Sequence, residues 1–550
     1  MEINKPAAPS FFKWAIAFIL HPQMNSIQLN LLVSVLLVLF YNHSFWAEIG
    51  DIAAHSMQDR LFLGSIFLLL VAFFNLCLSL CSFRPVLKPC LIVTILIATL
   101  AAYFMKTYGI MIDRSMVKNI LTTDMGDISE LLNVKMLYSF VVLGVIPSLF
   151  VLRTEIRSKG PVRELFMVSG SVLTSLVVMV VILVFLYKDY ISLGKNYNYV
   201  RHLINPVSSL YAVTSYAKRA VTGGKMVARP IGDDARVEKK WQQRGKKNLV
   251  ILVVGEAARA HNFSLNGYEK KTNPLLEKED ILNFSSMYSC GTVSSTSVPC
   301  MFSHFGRESF TDLKVQRHQG LLDVAAHAGV EVLWRENNSG CKGVCDRVKT
   351  ENMADLCTTG DCQDMILLQG MQQHIDQIGG DALIVLHQKG SYGPGYHRRS
   401  PAEFKAFLPE CTTNQLQECR ADELVNAYDN TILYTDYFLA QVIDLLKQNS
   451  GQFNTAMLYL SDYGESLGEK NIYLHGLPYV IAPDEQKHVP FILWFGESFL
   501  AENGIDRACL QQKVNDPVSH DHLFHSVLGL MGIKTVMLEK NLDIFAGCRR

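Results

Sequence analysis

The first third of the chain is dominated by long apolar runs, and the remainder alternates shorter apolar runs with polar segments. A helix of about 17 to 25 apolar residues is long enough to cross a bilayer. Five runs meet this condition, at 27–46, 61–83, 89–105, 136–152 and 165–187. A cleaved signal peptide is the alternative for the first run, but that run lies far from Met1 and lacks a small-residue cleavage site. The pattern therefore predicts five membrane spans.

Lysine and arginine in the short loops predict the orientation of these spans, because both residues favour the cytoplasmic side. They occur before the first run, between the second and third runs, and between the fourth and fifth runs. These residues are Lys5, Lys13, Arg84, Lys88, Arg153, Arg157, Lys159 and Arg163. With five spans, everything after residue 187 then lies outside the cytoplasm.

After the spans, the pattern changes to that of a soluble α/β domain. A segment at 191–246 combines amphipathic stretches with a charged linker, so it is interpreted as a bridge. From 247 onward, the buried runs "NLVILVVGE", "GVEVLWRE", "ALIVLH", "AMLYLSD" and "VPFILWF" alternate with helical patterns. Such alternation predicts a sheet with helices on both faces. The predicted domains are 1–190, 191–246 and 247–550.

Length and charge narrow the class of protein. The chain has 550 residues, which is more than one hydrophobic core normally serves. Its formal net charge is +0, so the charge balance does not indicate a nucleic-acid partner. A membrane partner, and no nucleic acid, is expected.

Three of the predicted strands end in residues able to do chemistry, at Glu256, His387 and Asp462. Strand ends converge at one edge of an α/β sheet, which is where active sites of such folds lie. The two carboxylates are hard oxygen ligands suited to Zn²⁺, Mg²⁺ or Mn²⁺, and His475 in "YLHGLPY" would add a nitrogen. A single strand-end carboxylate is more often a cap or a surface charge, so the prediction depends on their convergence.

The cysteines agree with a domain outside the cytoplasm. Ten of the thirteen lie from Cys290 onward, and most of these stand in close pairs. Ten cysteines in such a domain predict disulfides, although some spacings also resemble zinc clusters. The predicted local pairs are Cys290–Cys300, Cys341–Cys345, Cys357–Cys362 and Cys411–Cys419, and Cys509 and Cys548 are left as a candidate fifth pair.

The segment "SCGTVSSTSVPCMFS" places five Ser or Thr residues between Cys290 and Cys300. This composition suits a clamped loop better than a hydrophobic core. A hydroxyl beside a bound metal can ionise and attack phosphorus. The alternative is that these hydroxyls only cap the loop backbone.

The order of "VVGEAARAHNFSLNGY", "SCGTVSSTSVPCMFS", "GCKGVCDRV" and "LSDYGESLGEKNIYLHGLPY" resembles the phosphoethanolamine transferases that modify lipid A, a group that includes the mobile colistin-resistance enzymes. The resemblance covers nearly the whole chain. It implies a five-span α-helical membrane domain followed by an α/β alkaline-phosphatase-like domain in the periplasm, anchored in the bacterial inner membrane. It also implies transfer of phosphoethanolamine from phosphatidylethanolamine to a lipid A phosphate through a covalent enzyme intermediate, with one or two Zn²⁺ ions. Resistance to polymyxin is then expected, and so is a monomer.

The resemblance also assigns roles to individual residues. It implies Ser294 as the nucleophile, with Glu256, Ser294, Asp462 and Tyr463 at the metal positions. It places His475, Lys342 and Tyr392 at catalytic positions, Ser339 near the substrate phosphate, and Asn119 and Thr123 at positions that face the donor lipid.

Two positions depart from the family pattern, because Tyr463 and Tyr392 stand where the family has histidine. A phenol with a pKa near 10 is a poor substitute for imidazole as a zinc ligand or an acid–base group at neutral pH. Two alternatives to an active transferase therefore stay open. One is a catalytically impaired paralogue that keeps lipid or partner binding. The other is a metal-dependent phosphatase or sulfatase of the same superfamily, although a soluble substrate would not require a membrane anchor.

Overall fold

The computed structural model describes residues 22–52, 57–112, 114–122, 131–157, 160–222, 228–238, 245–357 and 362–549. The chain divides into two compact units. One comprises Met1–Arg114 with Leu132–Ser215, and the other comprises Ser115–Leu131 with Tyr216–Arg550. The sequence places 115–131 with the membrane spans, whereas in the structure this stretch groups with the soluble unit, and the bridging segment is divided between the two units.

The first unit is helical. Four of its helices are long and apolar enough to cross a membrane, or five if the bent pair Ser26–Phe40 and His43–Gly50 forms one span. These helices coincide with the five apolar runs of the sequence. The helices at the apolar runs are Ser26–Phe40, His43–Ile52, Met57–Ser79, Arg84–Tyr108, Val134–Arg153 and Pro161–Phe185. The helix Val134–Arg153 is α-helical over Val134–Ser139, π-helical over Phe140–Val145 and α-helical again over Ile146–Arg153. Two further helices follow, Tyr187–Asn196 and Val207–Thr222.

Buried polar side chains join these helices to each other. Asn75 Nδ2 donates to Ser171 Oγ at 2.9 Å and to Ser175 Oγ at 3.0 Å. Asn30 Nδ2 donates to Ser82 Oγ at 2.9 Å, which links the helix Ser26–Phe40 to the turn between Ser79 and Arg84. In an apolar surrounding, such hydrogen bonds hold helices together because lipid offers the polar groups no partner.

The second unit is built on an eight-stranded sheet. We number its strands in chain order, and they lie side by side in the order β8-β2-β7-β6-β1-β5-β3-β4. Every neighbouring pair is parallel except the two pairs made by β7, which is antiparallel to both β6 and β2. The bounds are β1 Lys247–Gly255, β2 Ile281–Tyr288, β3 Glu331–Glu336, β4 Lys349–Asn352, β5 Ala382–His387, β6 Phe453–Ser461, β7 His488–Phe495 and β8 Val518–Ser519.

The central strands are largely apolar because both faces of the sheet are covered. All of β6 and all of β1 except Lys247 are buried, as expected for parallel strands with helices on both faces. The longest covering helix, Ala421–Gln448, begins with Asp422 and Glu423 at its positive end and stops before Asn449, whose side chain donates to the carbonyl of Leu445. Among the described residues, the other α-helices of this unit are Arg114–Thr122 (from Ser115 onward), Ser294–Met301, Gly306–Ser309, Asp312–Gln316, Leu321–His327, Met371–Ile375, Glu497–Glu502, Arg507–Gln512 and Asp521–Leu530.

All five strands predicted from apolar runs are present, and three strands of the sheet were not predicted. The largest of these is β2, whose sequence "ILNFSSMY" mixes serine and asparagine with apolar residues. Its buried positions alternate with partly exposed ones, so it lacks the continuous apolar run that marks β1 and β6. Outside the eight-stranded sheet, the described residues also form three small sheets of two strands each. They pair Gln23–Met24 with Glu155–Ile156, Arg236–Val237 with Ile533–Lys534, and Ser466–Leu467 with Tyr473–Leu474.

Five disulfides reinforce the second unit. The four local pairs expected from cysteine spacing are all present, and Cys509 pairs with Cys548 across 39 residues of sequence. These cysteines are therefore not available as zinc ligands, and the zinc-cluster alternative is wrong for the paired residues.

Candidate active site

Glu256 is the centre of the site, and its side chain is almost fully buried. It directly follows β1, where Gly255 is in register with Ser461 of β6. This register places Glu256 beside Asp462, the first residue after β6, and the N–H of Ala257 donates to Asp462 Oδ1 at 3.3 Å. The two carboxylates converge because their strands are neighbours in the sheet.

Several donors surround the Glu256 carboxylate. Ser294 Oγ donates to Oε1 at 2.6 Å, the Tyr463 hydroxyl donates to the same oxygen, and Asn338 Nδ2 donates to Oε2 at 2.9 Å. His387 Nε2 lies 3.6 Å from Oε2. Burial alone would raise the pKa of Glu256, but the hydrogen bond and charge of His387, with the bonds from Ser294 and Tyr463, lower it to about 2. Glu256 is therefore a carboxylate at neutral pH.

The hydroxyls of the clamped loop have different partners. Thr292 Oγ1 donates to the carbonyl of Leu477 at 2.7 Å, and Ser297 Oγ accepts the N–H of Gly291 at 2.9 Å. These two hydroxyls hold the loop in place. Ser294 is the member of the loop that bonds Glu256, so the structure separates a candidate nucleophile from hydroxyls with a positioning role.

Ser294 is also the first residue of the helix Ser294–Met301. The positive end of a helix attracts an anionic group, and a phosphate near Ser294 would lie at that end. The disulfide between Cys290 and Cys300 connects the loop before the helix to its last turn. Ser294, the candidate nucleophile, is thus held on a covalently closed loop.

His520 links this loop to β6. Its Nδ1 accepts the N–H of Cys290 at 3.0 Å, and its Nε2 bonds the carbonyl of Ser461 at 3.0 Å. Burial lowers the pKa of His520 to about 4, so the ring is neutral and one tautomer makes both bonds. The loop carrying Ser294 is in this way fastened to the strand that carries Asp462.

Asp462 has one satisfied and one unsatisfied oxygen. Its Oδ1 accepts the N–H groups of Ala257 and Tyr463, the latter at 2.9 Å. Its Oδ2 is buried and has no hydrogen-bond partner among the residues that the structure describes. Burial and the charge of Glu256 raise the pKa of Asp462 well above its usual value.

This donor set fits a divalent cation, which the family resemblance implies. Two buried carboxylates repel each other unless a positive charge lies between them, and the orphaned Oδ2 of Asp462 offers a ligand atom. Ser294 Oγ, which lies 2.6 Å from Glu256 Oε1, adds a third oxygen. Glu256, Asp462 and Ser294 are therefore suited to hold a metal ion.

Tyr463 occupies the fourth position implied for the metal. It is fully buried, and its hydroxyl donates to Glu256. Burial and the charges of Glu256 and Asp462 raise the pKa of Tyr463 well above its usual value. In this arrangement the residue is a neutral hydrogen-bond donor.

His475 lies against Tyr463, with 4.5 Å between ring centroids and 3.4 Å between His475 Nε2 and the phenol oxygen. Its other nitrogen, Nδ1, bonds Glu465 Oε2 at 2.8 Å. Glu465 Oε1 accepts the hydroxyl of Tyr396 at 2.7 Å. Glu465 thus orients His475 so that Nε2 faces the site, as a carboxylate does for many catalytic and metal-binding histidines.

Tyr392 lies on the loop after β5, and its ring centroid is 5.7 Å from that of His475. Lys389 Nζ and Arg399 Cζ each lie 5.9 Å from the centre of the Tyr392 ring. The Arg399 Nε also donates to the Tyr392 carbonyl at 2.9 Å. Tyr392 therefore lies beside His475, and the positively charged side chains of Lys389 and Arg399 lie next to its ring.

Ser339 and Lys342 lie on the loop after β3, next to Asn338, which bonds Glu256. Lys342 Nζ donates to both the carbonyl and the hydroxyl of Ser339 at 2.7 Å. Their placement beside a residue that contacts Glu256 is consistent with the predicted position near the substrate phosphate.

The family resemblance implies that two positions, Asn119 and Thr123, face the donor lipid. Asn119 lies buried on the helix Arg114–Thr122, and its neighbour Lys118 donates to the carbonyl of Ser295 at 2.8 Å. That contact packs the helix against the start of the nucleophile helix. Thr123 lies outside the described residues.

Three non-glycine residues next to site residues have positive φ angles: Ala257 (57°), Lys342 (54°) and Leu474 (62°). Such conformations cost roughly 1 to 3 kcal/mol each and persist where the surrounding structure fixes them. Gly390 (φ +56°) packs against Glu256 so closely that a Cβ there would lie 2.8 Å from the Glu256 carbonyl oxygen. The backbone around Glu256 is thus tightly determined.

The sequence assigned no role to several residues of the site, among them Asn338, His387, Glu465 and His520. Glu465 stands in the quoted motif "LSDYGES", two residues after Tyr463, and His387 was noted only as a strand end. Asn338 directly precedes Ser339, so proximity to an assigned residue was its only signal. His520 gives no local signal, because its role arises from the packing of β8 beside β2.

The two parts of the chain match two family models. Residues 248–533 match the sulfatase family, and residues 70–221 match the family described as phosphoethanolamine transferase EptA/EptB.

Characterised proteins resemble the chain over nearly its full length. Phosphoethanolamine transferase EptA of Escherichia coli K12 is 39% identical, with 95% of this chain and 98% of that protein covered. Phosphatidylethanolamine transferase Mcr-1 of Escherichia coli is 37% identical over 84% of this chain and 88% of that protein. The solved structure of the integral membrane lipooligosaccharide phosphoethanolamine transferase A of Neisseria meningitidis superposes with a TM-score of 0.92, at 34% identity, over 96% of this chain and 100% of that one.

Proposed function

Because the chain belongs to the phosphoethanolamine transferase family, we propose that it moves phosphoethanolamine from phosphatidylethanolamine to a phosphate of lipid A. The names of its relatives support both the transferred group and a lipooligosaccharide acceptor. The enzyme is a multi-pass protein of the bacterial inner membrane with its catalytic unit in the periplasm, and it works as a monomer. The five disulfides support a location outside the reducing cytoplasm.

One observation carries the proposal: Ser294 Oγ lies 2.6 Å from Glu256 Oε1, at the start of a helix and beside the unsatisfied carboxylate oxygen of Asp462. A nucleophile, an anion-binding helix end and a cation-binding pair of carboxylates are the three parts that phosphoryl transfer requires.

In the first half-reaction, Ser294 Oγ attacks the phosphorus of phosphatidylethanolamine. The Oγ–P bond forms, the bond from phosphorus to the diacylglycerol oxygen breaks, and one proton passes overall from Ser294 to diacylglycerol. Glu256 orients the attacking oxygen but does not retain its proton, since the pKa of Glu256 is about 2. His475, held by Glu465, is the group suited to carry that proton to the leaving oxygen.

In the second half-reaction, an oxygen of the lipid A phosphate attacks the same phosphorus from the position that diacylglycerol has left. The new P–O bond joins phosphoethanolamine to lipid A, the Oγ–P bond breaks, and the proton lost by the attacking lipid A phosphate passes overall to Ser294 Oγ. Lys342, Ser339 and Tyr392, the last with its neighbouring cations, bind the negative phosphate oxygens. Asn119 and Thr123 contact the donor lipid.

Glu256, Asp462 and Ser294 would hold Zn²⁺, and Tyr463 stands at the fourth position that the family resemblance implies for the metal. When bound, the ion lowers the pKa of the serine hydroxyl and neutralises charge on the phosphate. The chain's own contribution is to fix these oxygens by adjacent strand ends and by the closed loop.

The test is mass spectrometry of lipid A from cells that express the chain, the Ser294→Ala variant, or neither. The intact chain should add phosphoethanolamine to lipid A, and Ser294→Ala should not. Cells with modified lipid A should also resist polymyxin, because the added amine offsets anionic charge that cationic peptides need. Unmodified lipid A with a correctly inserted chain would favour a pseudoenzyme that only binds lipid.

A further inference from the structure

A second cluster of metal-binding side chains lies apart from Glu256 and Asp462. One ring nitrogen each of His261 and His488 and one carboxylate oxygen of Asp484 all lie within 4.8 Å of one another. Two other clusters of this kind among the described residues contain Cys290 with Cys300, and Cys341 with Cys345. Their sulfurs are engaged in disulfides, so only the histidine cluster has its ligand atoms available.

From this geometry we propose that His261, Asp484 and His488 form a second binding site for a divalent transition metal, of the zinc or copper class. Two imidazoles and one carboxylate are a frequent ligand set for Zn²⁺, with the fourth position left to water. Imidazole nitrogen selects such ions over Mg²⁺ and Ca²⁺, which prefer oxygen.

The ring of His488 is prepared for this role. Its Nε2 lies 2.7 Å from the carbonyl oxygen of Ser285, which can only accept a hydrogen bond, so the proton is on Nε2. The lone pair of Nδ1 is therefore free to bind a metal, and Nδ1 lies 3.9 Å from Asp484 Oδ2. Metal-binding histidines commonly donate their second N–H to a carbonyl in this way. Tyr288 stacks on the same ring at 5.2 Å and fixes its plane.

His261 completes the cluster from another segment. It lies on the short 3₁₀ turn Ala260–Asn262 that follows β1, and its ring stands at 85° to that of His488 with 5.4 Å between centroids. Tetrahedral ligands of zinc lie about 3.4 Å apart at bond lengths of 2.0 to 2.2 Å. The side chains of His261 and Asp484 are exposed, so small rotations can close the present separations around an ion.

The site would join segments that support the active site. His261 follows Glu256 by five residues of sequence. Between Asp484 and His488, the carbonyl of Gln486 accepts the N–H of Gly464, and the carbonyl of Lys487 accepts the N–H of Ser289 at 2.8 Å. Binding a metal would therefore clamp the segment that holds both the Asp462 motif and the start of the nucleophile loop.

The experiment uses the full chain in detergent, equilibrated with buffered free Zn²⁺, and counts bound zinc per chain by mass spectrometry of the metal. His261→Gln should bind one zinc fewer than the intact chain, or bind it at least tenfold more weakly, and should keep its transferase activity. His327→Gln is the matched control, since His327 is a surface histidine of the same unit that lies 4.0 Å from Asp233 and outside this cluster. Asp462→Asn should retain the second ion.

Electron paramagnetic resonance with Cu²⁺ gives an independent readout. In the Asp462→Asn background, the spectrum should show coupling to two ring nitrogens, and adding His261→Gln should reduce this to one. Equal zinc counts in the intact chain and in His261→Gln, or unchanged nitrogen coupling, would overturn the proposal. Loss of all transfer activity together with this ion would also overturn it, because the ion would then belong to the catalytic centre.

Discussion

The site has two halves that differ in how the fold fixes them. The carboxylate half consists of Glu256, Ser294 and Asp462, and the aromatic half consists of Tyr392, Tyr463 and His475. Glu256 and Asp462 directly follow paired strands in a fixed register, and Ser294 lies on a disulfide-closed loop. Tyr392 and His475 lie on loops and are positioned by contacts with rings, cations and Glu465.

This difference indicates which half can vary. A strand-end residue cannot move without disturbing the sheet, so its chemistry is tied to the fold. A side chain on a loop is held by a few hydrogen bonds and ring contacts, so a substitution there changes the chemistry at little cost in stability. The replacement of family histidines by tyrosine falls entirely in the aromatic half. The expected order of mutational effects therefore runs from the carboxylate half to the aromatic half.

The largest effect is expected from Ser294→Ala. Removing the attacking oxygen should lower transfer by on the order of 10⁴-fold or more, and no phosphoethanolamine adduct should form on the protein. Ser294→Thr is the matched control, because it keeps the hydroxyl and adds only a methyl group. The measurement is the transfer rate from phosphatidylethanolamine in detergent, with intact-protein mass spectrometry. Activity that survives in Ser294→Ala would remove Ser294 from the mechanism.

Next in size is Asp462→Asn, which removes one of the two carboxylates. We expect loss of tightly bound zinc from the catalytic centre and a fall in transfer of roughly 10²- to 10³-fold. A chelator should abolish activity of the intact chain in the same way, and added Zn²⁺ should restore it. Metal content and rate should be measured on the same samples. Equal zinc affinity in the two proteins would mean that the unsatisfied Oδ2 is not a ligand.

The sequence predicted the convergence of Glu256 and Asp462 at one edge of the sheet, whereas the role of Ser294 came from the family resemblance. Glu256 and Asp462 each follow a continuous apolar run, so the strand ends were visible without a structure. The partners of the aromatic half were not visible, since a local pattern does not show which distant side chain a loop residue meets. Glu465, which orients His475, and His520, which fastens the Ser294 loop of the carboxylate half, both act through packing that only the folded chain creates. The bend between Ser26–Phe40 and His43–Gly50, which is 58°, was hidden for a similar reason inside one apolar run.

Glu465→Gln tests whether the aromatic half depends on the orientation of His475. Glutamine keeps the shape but removes the negative charge that His475 Nδ1 faces at 2.8 Å. We expect kcat to fall by about 10- to 100-fold with little change in KM. The pH dependence of kcat should also shift, because the negative charge beside His475 has been removed. Tyr396→Phe is the control, because it removes the other hydrogen bond to Glu465 and leaves the charge. An unchanged pH profile in Glu465→Gln would limit Glu465 to a structural role.

The variants Tyr463→His and Tyr392→His test how far the two phenols lower zinc affinity and the transfer rate. Imidazole is a better zinc donor than a phenol whose proton must first be removed, so Tyr463→His should raise zinc affinity. Tyr392→His should restore a group that can protonate phosphate near neutral pH. We expect each to raise transfer by a few-fold, and the double variant to exceed the sum because both residues contact His475.

The opposite result for these variants is equally informative. Lower transfer in both would show that the phenols are working parts of an altered site. Tyr463→Phe separates the two cases, because it removes only the hydrogen bond from the hydroxyl to Glu256. If Tyr463→Phe is as active as the intact chain, that hydrogen bond contributes nothing to the rate.

The smallest effect on transfer is expected from Asp436, a buried carboxylate outside both halves. Asp436 serves as the reference for the effect of burial on a carboxylate that has no strand-end carboxylate as its neighbour. Asp436 accepts the N–H groups of Leu275 and Leu276, and burial raises its pKa from 3.8 to about 7, with Glu277 and Lys278 nearby. Between about pH 4 and pH 7 the unfolded chain has this group ionised while the folded chain keeps it protonated. The stability that it contributes is therefore present below pH 4 and is lost as the pH rises to 7, by up to about 4 kcal/mol.

Asp436→Asn carries no such proton, although its amide loses one of the two backbone hydrogen bonds at every pH. The melting temperature of the intact chain relative to Asp436→Asn should accordingly fall between pH 4 and pH 7. Asp444→Asn, at an exposed position of the same helix, should show no such slope. A flat difference for Asp436→Asn would show that Asp436 is ionised in the folded chain. Burial alone would then raise the pKa of a carboxyl group in this unit too little to account for Asp462. The raised pKa of Asp462 would have to come mainly from the negative charge of Glu256.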